Sequence, residues 1–377
     1  MQPRRPAALY VHVPFCVRRC PYCDFAVTEK ATGLEELYLD ALDAEARTRF
    51  PAGFRPRTVY IGGGTPTELT GPGLERLGQI LRRADLGRVR EFTMEANPGT
   101  LAEKKLATLV AMGVTRISLG AQSFEPRHLE TLGRSHGPED IERSVRAIRA
   151  AGISDVNVDL IFGVPGQTEA DVGRDLERAL ALRPDHVSTY GLTYESGTAL
   201  TEARDAGSVK QVGEGLERRL YALLRAGLRR AGFVHYEVSN FARPGHFCAH
   251  NRVYWRNGAY VGIGNSAVSH RKLGRIANVK DVRDYVEKAR GSGRAVASIE
   301  RLEPARKLRE SAYLALRTAR GIGRTRFLAD FGVDPLVEFK DEVARMRELG
   351  LVEADEERVR LSGRGVALAD RIAVEFL

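Results

Sequence analysis

Short apolar runs alternate with longer amphipathic segments along the first half of the chain. The amphipathic segments, such as PEDIERSVRAIRAAG, place apolar residues three and four positions apart and have glycine or proline at their ends, which predicts helices. Six short runs are predicted strands: ALYVHV from Ala8, TVYIG from Thr58, EFTMEA from Glu91, TRISLG from Thr115, DVNVDLIFG from Asp155 and HVSTYGL from His186. This alternation predicts parallel βαβ units. Six units are too few for an eight-unit barrel, so we expect a partial (β/α)6 barrel with its chemistry at the carboxyl ends of the strands.

The pattern changes after about residue 200. The next segment contains one clear helix, GLERRLYALLRAGLRRAG, and two strand-like runs, VHYEVS and AYVGIG. The C-terminal part shows two helices separated by a short turn at GIGRTRFLADFG, then two strands and a final helix, an order typical of winged-helix modules. We therefore expect an α/β protein in which residues 1–200 form the barrel, residues 201–295 extend it, and residues 296–377 form a winged-helix-like α+β module.

Composition and charge limit the possible cellular location and partners but do not identify a function. No apolar run reaches membrane-spanning length, and the first residues lack the pattern of a signal peptide, so a cytoplasmic protein is expected. The chain has 58 Lys and Arg residues against 49 Asp and Glu, a formal charge of +9. This excess suits anionic partners of several kinds, including nucleic acid, an acidic electron donor, a carboxylate-bearing ligand and peripheral contact with a membrane surface.

Three of the four cysteines lie within the stretch CVRRCPYC, directly after the first predicted strand. Thiolates at the spacing of Cys16, Cys20 and Cys23 can hold three corners of a [4Fe–4S] cluster and leave one iron without a protein ligand. A zinc site completed by Cys248 or a histidine, or simply buried thiols, are the alternative interpretations. The unequal spacing disfavours zinc, for which paired C-x₂-C motifs are usual.

The cysteine motif, with YVHVPF before it and YIGGGTPT after the next predicted strand, resembles the radical S-adenosylmethionine superfamily. Within it, the chain is most similar to the branch that contains oxygen-independent coproporphyrinogen III dehydrogenases and HemW-type haem chaperones, from Tyr10 to the C-terminal module. The resemblance implies that the amino and carboxylate groups of S-adenosylmethionine bind the fourth iron. It also implies reductive cleavage of the sulfonium to a 5′-deoxyadenosyl radical, which the protein positions and shields.

Polar and glycine residues at the predicted strand ends complete the candidate cofactor site. Successive glycines let backbone approach a neighbour closely, Arg134 offers a fork of donors to a carboxylate, and Asp159 lies on an otherwise apolar strand, so its burial requires a partner. Tyr10 and Tyr22 are equally compatible with a packing role, since buried aromatic rings usually serve cores. The resemblance implies contacts with S-adenosylmethionine at Tyr10, Tyr22, Gly63, Gly64, Thr65, Glu95, Gln122, Arg134 and Asp159.

Two departures separate the branches of the family. The dehydrogenases have a further cysteine two residues after the third, where this chain has Phe25, and they carry a long extension where only nine residues precede Tyr10 here. In addition, HNRVYW from His250 to Trp255 matches the HNxxYW motif of HemW-like proteins. We therefore expect reductive cleavage of S-adenosylmethionine without coproporphyrinogen dehydrogenase activity.

The HNRVYW segment offers a candidate haem ligand. A histidine can bind haem iron while aromatic rings pack the macrocycle and basic residues meet the propionates, so His250 is the candidate axial ligand and Cys248 its rival. The alternative is structural: His250 and Asn251 hydrogen-bond a loop, while Tyr254 and Trp255 fill the space between the barrel and the C-terminal module.

The sequence thus predicts a [4Fe–4S] protein of the HemW type that carries haem to recipient proteins and receives electrons from a small donor such as flavodoxin or ferredoxin. Anaerobic oxidative decarboxylation of coproporphyrinogen III is the enzymatic alternative. A nucleic-acid-binding role for the C-terminal module ranks last, because its arginines are interspersed with Glu303, Glu310, Glu338 and Glu342 and no nucleic-acid partner is expected.

Overall fold

The computed structural model describes residues 6–271 and 274–377. Its strands are β1 (Ala8–Val13), β2 (Phe15–Cys16), β3 (Thr28–Glu29), β4 (Thr58–Gly63), β5 (Glu91–Ala96), β6 (Arg116–Gln122), β7 (Asp155–Phe162), β8 (His186–Gly191), β9 (Val234–Glu237), β10 (Asn240–Ala242), β11 (Tyr260–Ile263), β12 (Val268–Arg271), β13 (Gly274–Asn278), β14 (Val296–Arg301), β15 (Ile322–Gly323), β16 (Val352–Ala354) and β17 (Arg358–Leu361). Its α-helices are α1 (Leu34–Arg49), α2 (Gly71–Leu81), α3 (Glu103–Met112), α4 (Pro126–Thr131), α5 (Pro138–Ala150), α6 (Glu169–Ala181), α7 (Ala199–Asp205), α8 (Glu214–Arg230), α9 (Asn251–Trp255), α10 (Val282–Ser292), α11 (Pro304–Leu316), α12 (Arg324–Phe331), α13 (Pro335–Glu338), α14 (Lys340–Glu348) and α15 (Ala369–Val374).

One large sheet carries the six predicted strands in sequence order. Strands β1, β4, β5, β6, β7 and β8 lie side by side, and each pairs in parallel with the next. This arrangement confirms the predicted partial barrel. Because parallel strands end at the same edge, the loops that follow them meet on one side of the sheet.

The sheet continues beyond these six strands in both directions. Strands β10 and β9 follow β8 as antiparallel neighbours, and β11 pairs in parallel with the outer side of β1. Strands β12, β13 and β14 then add an antiparallel extension next to β11. The sequence predicted that residues 201–295 extend the barrel, but it indicated neither strands β12, β13 and β14 nor helix α10, which packs against α1.

Local sequence explains why the helices begin where they do. At the start of α6, the hydroxyl of Thr168 accepts a hydrogen bond from the Asp171 backbone amide at 3.2 Å, and the Asp171 carboxylate accepts one from the Thr168 amide at 2.8 Å. This capping box satisfies two amides that the helix leaves without partners. Val172, Leu176 and Ala179, spaced four and three residues apart, turn the apolar face of α6 to the core.

The C-terminal part has a hydrophobic core of its own, built around Phe327, Phe339 and Phe376, with a three-stranded sheet in the order β15-β17-β16. The turn predicted at GIGRTRFLADFG was wrong, because helix α12 forms there and ends at Gly332 in the left-handed region, φ 80°. Phe327 holds that helix on the core. None of the helices in the described part of the chain combines the length and apolar character that crossing a membrane requires.

Candidate functional site

The three clustered cysteines lie on the loop that follows β1, at the carboxyl edge of the sheet. All three are free thiols and only partly buried, and the Cys23 amide donates to the Cys20 carbonyl at 3.1 Å. Cys16 Sγ lies 3.8 Å from Thr65 Oγ1, and Arg134 Nη1 donates to Cys20 Sγ at 3.5 Å. Burial raises the pKa of the Cys16 thiol to about 11. A thiolate here therefore requires a cation, and three thiols on one loop fit a metal cluster.

The glycines at the end of β4 are required by the neighbouring protein atoms. A Cβ on Gly62 would lie 2.7 Å from the Glu95 carboxyl carbon, and one on Gly63 would lie 2.5 Å from the ring of His12. Gly63 also has φ 113°, a conformation that side chains with a Cβ rarely adopt. Both glycines thus bring the backbone of this loop against polar side chains from β1 and β5.

The rest of the glycine loop is fastened to the beginning of the cysteine loop. The Gly64 amide donates to the Val13 carbonyl at 2.8 Å, and the Thr65 amide donates to the Phe15 carbonyl at 2.7 Å. A Cβ on Gly64 would meet the Pro14 carbonyl at 2.7 Å. The position of the loop that bears Cys16 is therefore set by backbone contacts with Gly64 and Thr65.

Glu95 lies at the carboxyl end of β5 and is held by two donors. Tyr60 Oη donates to its carboxylate at 2.7 Å, and the Gly63 amide donates at 3.1 Å. Burial raises the pKa of Glu95 to about 7, and the negative charge of Asp159 adds to the rise. A carboxyl group with this pKa is available in both protonation states near neutral pH.

Asp159 belongs to a chain of polar side chains inside the barrel. Its carboxylate accepts hydrogen bonds from Ser118 Oγ at 3.1 Å and from Asn157 Nδ2 at 2.8 Å. The chain continues from Asn157 Oδ1 to His186 Nδ1 at 2.6 Å, and from His186 Nε2 to Tyr236 Oη at 2.7 Å. Burial raises the pKa of Asp159. The partners expected for a buried carboxylate are thus protein side chains on β6 and β7.

Arg134 connects the cysteine loop with three strand ends. Besides Cys20, its guanidinium donates to the Gly120 carbonyl at 3.0 Å and to Asn97 Oδ1. Asn97 in turn donates to Thr65 Oγ1 at 2.7 Å. Sequence reasoning missed Asn97, although it lies two residues after Glu95 and directly after β5, where the same strand-end argument could have found it.

Gln122 is the last residue of β6, at this edge of the sheet, and Tyr10 lies on β1. Gln122 has φ 68°, unusual for a residue with a side chain, and its Nε2 lies 2.9 Å from where Gly120 would carry a Cβ. Tyr10 Oη lies 3.1 Å from His12 Nδ1, and the Tyr10 ring stacks on Tyr60 at a centroid distance of 6.4 Å. The structure therefore brings Gln122 to Arg134 and Tyr10 to Glu95 through shared neighbours.

Tyr22 belongs to the cysteine loop, between Cys20 and Cys23. Its ring packs against a small apolar cluster formed by Leu132, Ile161, Val164, Leu192 and Leu200. Burial raises the pKa of Tyr22, while the charge of Arg134 opposes the rise. Packing is thus one role that the structure gives this residue, next to the predicted cofactor edge.

His250 lies inside the protein, at the opposite end of β4 from the glycine loop. Its side chain is buried, with Nδ1 2.9 Å from Thr58 Oγ1 and Nε2 2.9 Å from Tyr254 Oη, and its ring lies beside Tyr60. Burial lowers the pKa of the His250 imidazole to about 3. Both ring nitrogens are hydrogen-bonded to protein side chains, which is the arrangement that the structural alternative for HNRVYW anticipates.

The segment before α9 is fixed by one buried carboxylate. Glu91 accepts hydrogen bonds from the amides of Ala249 and His250 at 2.6 and 2.8 Å, and from Cys248 Sγ at 3.5 Å. Cys248 is 2% exposed, and its sulfur accepts from the Asn251 amide at 3.5 Å. Burial raises the pKa of the Cys248 thiol well above its usual range. Cys248 thus resembles a structural thiol, held far from the cysteine loop.

Family models match two parts of the chain. The model of the radical SAM superfamily matches residues 10–179, which contain the cysteine loop and most of the parallel strands. The model of the HemN C-terminal domain matches residues 302–368. The second match covers the part of the chain with the separate hydrophobic core.

Named proteins and one solved structure are similar over most of the chain. The heme chaperone HemW of Lactococcus lactis is 33% identical over 99% of this chain and 98% of its own length, and that of Escherichia coli is 38% identical over 74% of each. The structure of coproporphyrinogen III oxidase (HemN) from Escherichia coli covers 99% of this chain and 90% of its own, with a TM-score of 0.86 and 24% identity, a likeness of fold. With identities above 30% over nearly the full length of HemW proteins, the chain belongs to the HemW family of the radical S-adenosylmethionine superfamily.

Proposed function

We propose that this protein binds haem and transfers it to recipient haem proteins. The observation that supports this function is the similarity to heme chaperones over nearly the whole chain, including the HNRVYW segment and the C-terminal module. Membership of the radical SAM superfamily also implies a [4Fe–4S] cluster and S-adenosylmethionine. The donor set fits both, since three free thiols face a guanidinium and a glycine loop at one edge of the sheet.

In this proposal, Cys16, Cys20 and Cys23 hold the cluster, and the residues at the neighbouring strand ends bind S-adenosylmethionine. The bound pair supplies reductive cleavage of the sulfonium. The cofactor contacts are those expected from the sequence: Tyr10, Tyr22, Gly63, Gly64, Thr65, Glu95, Gln122, Arg134 and Asp159.

Hydrogen bonds within the protein fix the positions of the Arg134 and Glu95 side chains before the cofactor binds. Arg134 is anchored by Asn97 and the Gly120 carbonyl, so its cation stays near Cys20 without further ordering. Glu95 is fixed by Tyr60 and Gly63. With a pKa near neutrality, it can either form an ion pair with an ammonium group as the carboxylate or remain protonated. A preformed arrangement of this kind binds a zwitterionic ligand at low entropic cost.

Electron delivery calls for a partner at the cysteine loop. Val17 and Phe25 are 65% and 64% exposed, and Arg18 and Arg19 between the first two cysteines are also exposed. Apolar residues beside arginines suit a small acidic electron-transfer protein such as flavodoxin or ferredoxin. Replacing both arginines by glutamate is expected to slow reduction of the cluster by flavodoxin and leave reduction by dithionite unchanged.

Coproporphyrinogen decarboxylation is the competing activity, because the fold resembles that of HemN. Phe25, which occupies the place of the dehydrogenases' additional cysteine, points its side chain to solvent. The deciding experiment is anaerobic reconstitution followed by two assays, haem transfer to an apo-haem protein and conversion of coproporphyrinogen III. Transfer without conversion is expected, and conversion to protoporphyrinogen would overturn the proposal.

A further inference from the structure

A large cleft lies between the segment around α9 and the C-terminal module. Its volume is 1700 Å³, above the range of about 300–1,000 Å³ usual for small-ligand sites. Phe247 and Trp255 line it on the barrel side, and Phe327 and Phe331 line it on the side of the module. The HNRVYW segment and the C-terminal module therefore contribute to one cavity.

Six arginines line this cleft: Arg252, Arg256, Arg271, Arg320, Arg326 and Arg358. Arg256 is surrounded by Arg252, Arg320 and Arg326, and burial, followed by the repulsion of these three cations, lowers its pKa. Arg326 pairs with Asp330 at 3.2 Å, whereas Arg252, Arg256 and Arg320 form no ion pair within residues 6–271 and 274–377.

Within the described residues, these three cleft arginines lack the ion pairs that many other surface arginines form. Elsewhere arginines generally meet carboxylates, as Arg83 does with Asp43 and Arg174 with Glu125. Asp330, Glu356 and Glu357 also line the cleft, but Arg252, Arg256 and Arg320 form no ion pair with them, so a bound anion would relieve the repulsion among these three cations. The cleft therefore presents a preformed binding surface for a ligand with anionic groups.

The walls of the cleft add flat apolar surface to these charges. Phe247 stacks on Tyr236 at a centroid distance of 4.7 Å, and the Arg252 guanidinium lies 5.9 Å from the Phe247 ring. The Arg317 guanidinium carbon lies 5.1 Å from the centroid of the Trp255 ring. The indole Nε1 of Trp255 has no acceptor among the described residues. Aromatic planes beside guanidinium groups fit a planar ligand that carries carboxylates.

One histidine of the cleft has the tautomer that metal binding requires. His270 Nδ1 lies 3.0 Å from the Gly258 carbonyl, which can only accept, so Nδ1 carries the proton. The lone pair of His270 Nε2 accepts from Lys307 Nζ at 2.8 Å, so this nitrogen can bind a metal only after the ammonium group moves away. A histidine whose second nitrogen donates to a backbone carbonyl is the usual arrangement of an iron or zinc ligand.

We propose that this cleft is the haem-binding site, with the macrocycle against the aromatic wall and the propionates on Arg252, Arg256 and Arg320. The inference rests on the proposed function and adds a location to it. It places the cargo between the barrel and the C-terminal module, away from the buried His250.

The test compares two triple variants in which three arginines become glutamine. Arg252, Arg256 and Arg320 are changed in the cleft variant, while the control changes Arg82, Arg88 and Arg90, which are exposed on the barrel and lie outside the cleft. Haem is titrated into each protein and followed by its absorbance. The cleft variant is expected to bind haem at least about tenfold more weakly than the control, because charge-assisted hydrogen bonds are lost.

Two further measurements separate the possible results. Haem dimethyl ester, which lacks the carboxylates, is expected to bind the wild type and the cleft variant equally. Ala319→Trp, at an exposed position of the cleft wall, is expected to weaken haem binding by filling the space. If the wild type does not bind haem, the proposed function fails. If the wild type binds haem and both cleft changes leave its affinity unaltered, the proposed haem location is wrong. This conclusion holds even if the two changes abolish binding of DNA.

Discussion

The guanidinium of Arg134 donates a hydrogen bond to the sulfur of Cys20 across 3.5 Å, although 114 residues separate them in the chain. The same guanidinium donates to the Gly120 carbonyl at 3.0 Å, so its direction is fixed from two sides. A cation therefore stands beside the thiol group and faces the edge where S-adenosylmethionine is expected. Loss of this side chain is therefore expected to affect cofactor binding rather than the fold of the cysteine loop, whose backbone contacts lie elsewhere.

Arg134→Ala is expected to weaken S-adenosylmethionine binding by about tenfold or more, since a charge-assisted contact contributes about 1.5–3 kcal/mol. Iron content after reconstitution should stay near the wild-type value. Anaerobic calorimetric titration measures the affinity, with Arg143→Ala at an exposed position as the control. Equal affinity in wild type and Arg134→Ala would exclude Arg134 from the cofactor site.

Replacing Cys16, Cys20 or Cys23 by alanine, one at a time, is expected to abolish stable cluster incorporation, because three thiolates are the minimum for a cluster with one open iron. Cys248→Ala is the matched control, since that thiol is buried beside Glu91. Iron analysis and the absorbance of the reconstituted proteins provide the measurement. If the Cys248→Ala protein folds correctly but does not incorporate the cluster, the expectation that one iron has no protein ligand is wrong.

His250→Gln is expected to lower the free energy of unfolding by about 2 kcal/mol while leaving the haem absorbance band in place. The imidazole joins Thr58 to Tyr254, and breaking buried hydrogen bonds costs about 1–3 kcal/mol each. His270→Gln, in contrast, is expected to shift the haem band. Chemical denaturation and absorbance spectroscopy test both effects. A shifted band in His250→Gln would indicate that His250 binds the haem iron.

Glu237 provides a pH-dependent prediction about stability. The Glu237 side chain is buried, and burial raises its pKa to about 7 from a usual 4.5, although nearby donors on Ser239 and Asn240 and the charge of Arg317 oppose the rise. The folded state therefore favours the protonated form, and this advantage is lost as the pH rises from 4.5 through 7. The loss amounts to about 3 kcal/mol.

Glu237→Gln should accordingly stabilise the protein at pH 8 and have little effect at pH 5. Thermal unfolding at the two pH values measures the difference, and the exposed Glu103→Gln is the control. A melting temperature that responds to pH equally in wild type and Glu237→Gln would show that this carboxyl group is not responsible.

The parallel strands were predictable because each one is a short segment in which apolar residues recur between helical patterns. Strand β1, for example, buries Leu9, Val11 and Val13, and it lies between Pro6 and Pro14. Strands β13 and β14 lack this signal, since their side chains are mainly half-buried or exposed. Helix α12 was missed for another reason. Its glycine-flanked, arginine-rich sequence has weak helical periodicity, and packing of Phe327 on the second core stabilises it.

The candidate site was predictable where a residue follows a predicted strand closely or lies on its carboxyl half. Cys16 comes shortly after β1, Glu95 is the fifth residue of β5, and Asp159 is the fifth residue of β7, so their positions along the chain already indicate the edge they share. The environment of His250 was not predictable, because Glu91 contacts its amide from 159 residues away. Which strand end meets the HNRVYW segment depends on the pairing of β11 with β1, which no local pattern encodes.

Strand β5 sets a fixed spacing inside the barrel, because Glu91 and Glu95 stand at its two ends and, four residues apart, project from the same face. One holds the amides of Ala249 and His250, and the other holds Gly63. At about 3.3 Å per residue, these anchor points are about 13 Å apart. Inserting a single residue into β5 would turn one carboxylate to the opposite face, so the strand's length is as constrained as the identity of its two acids.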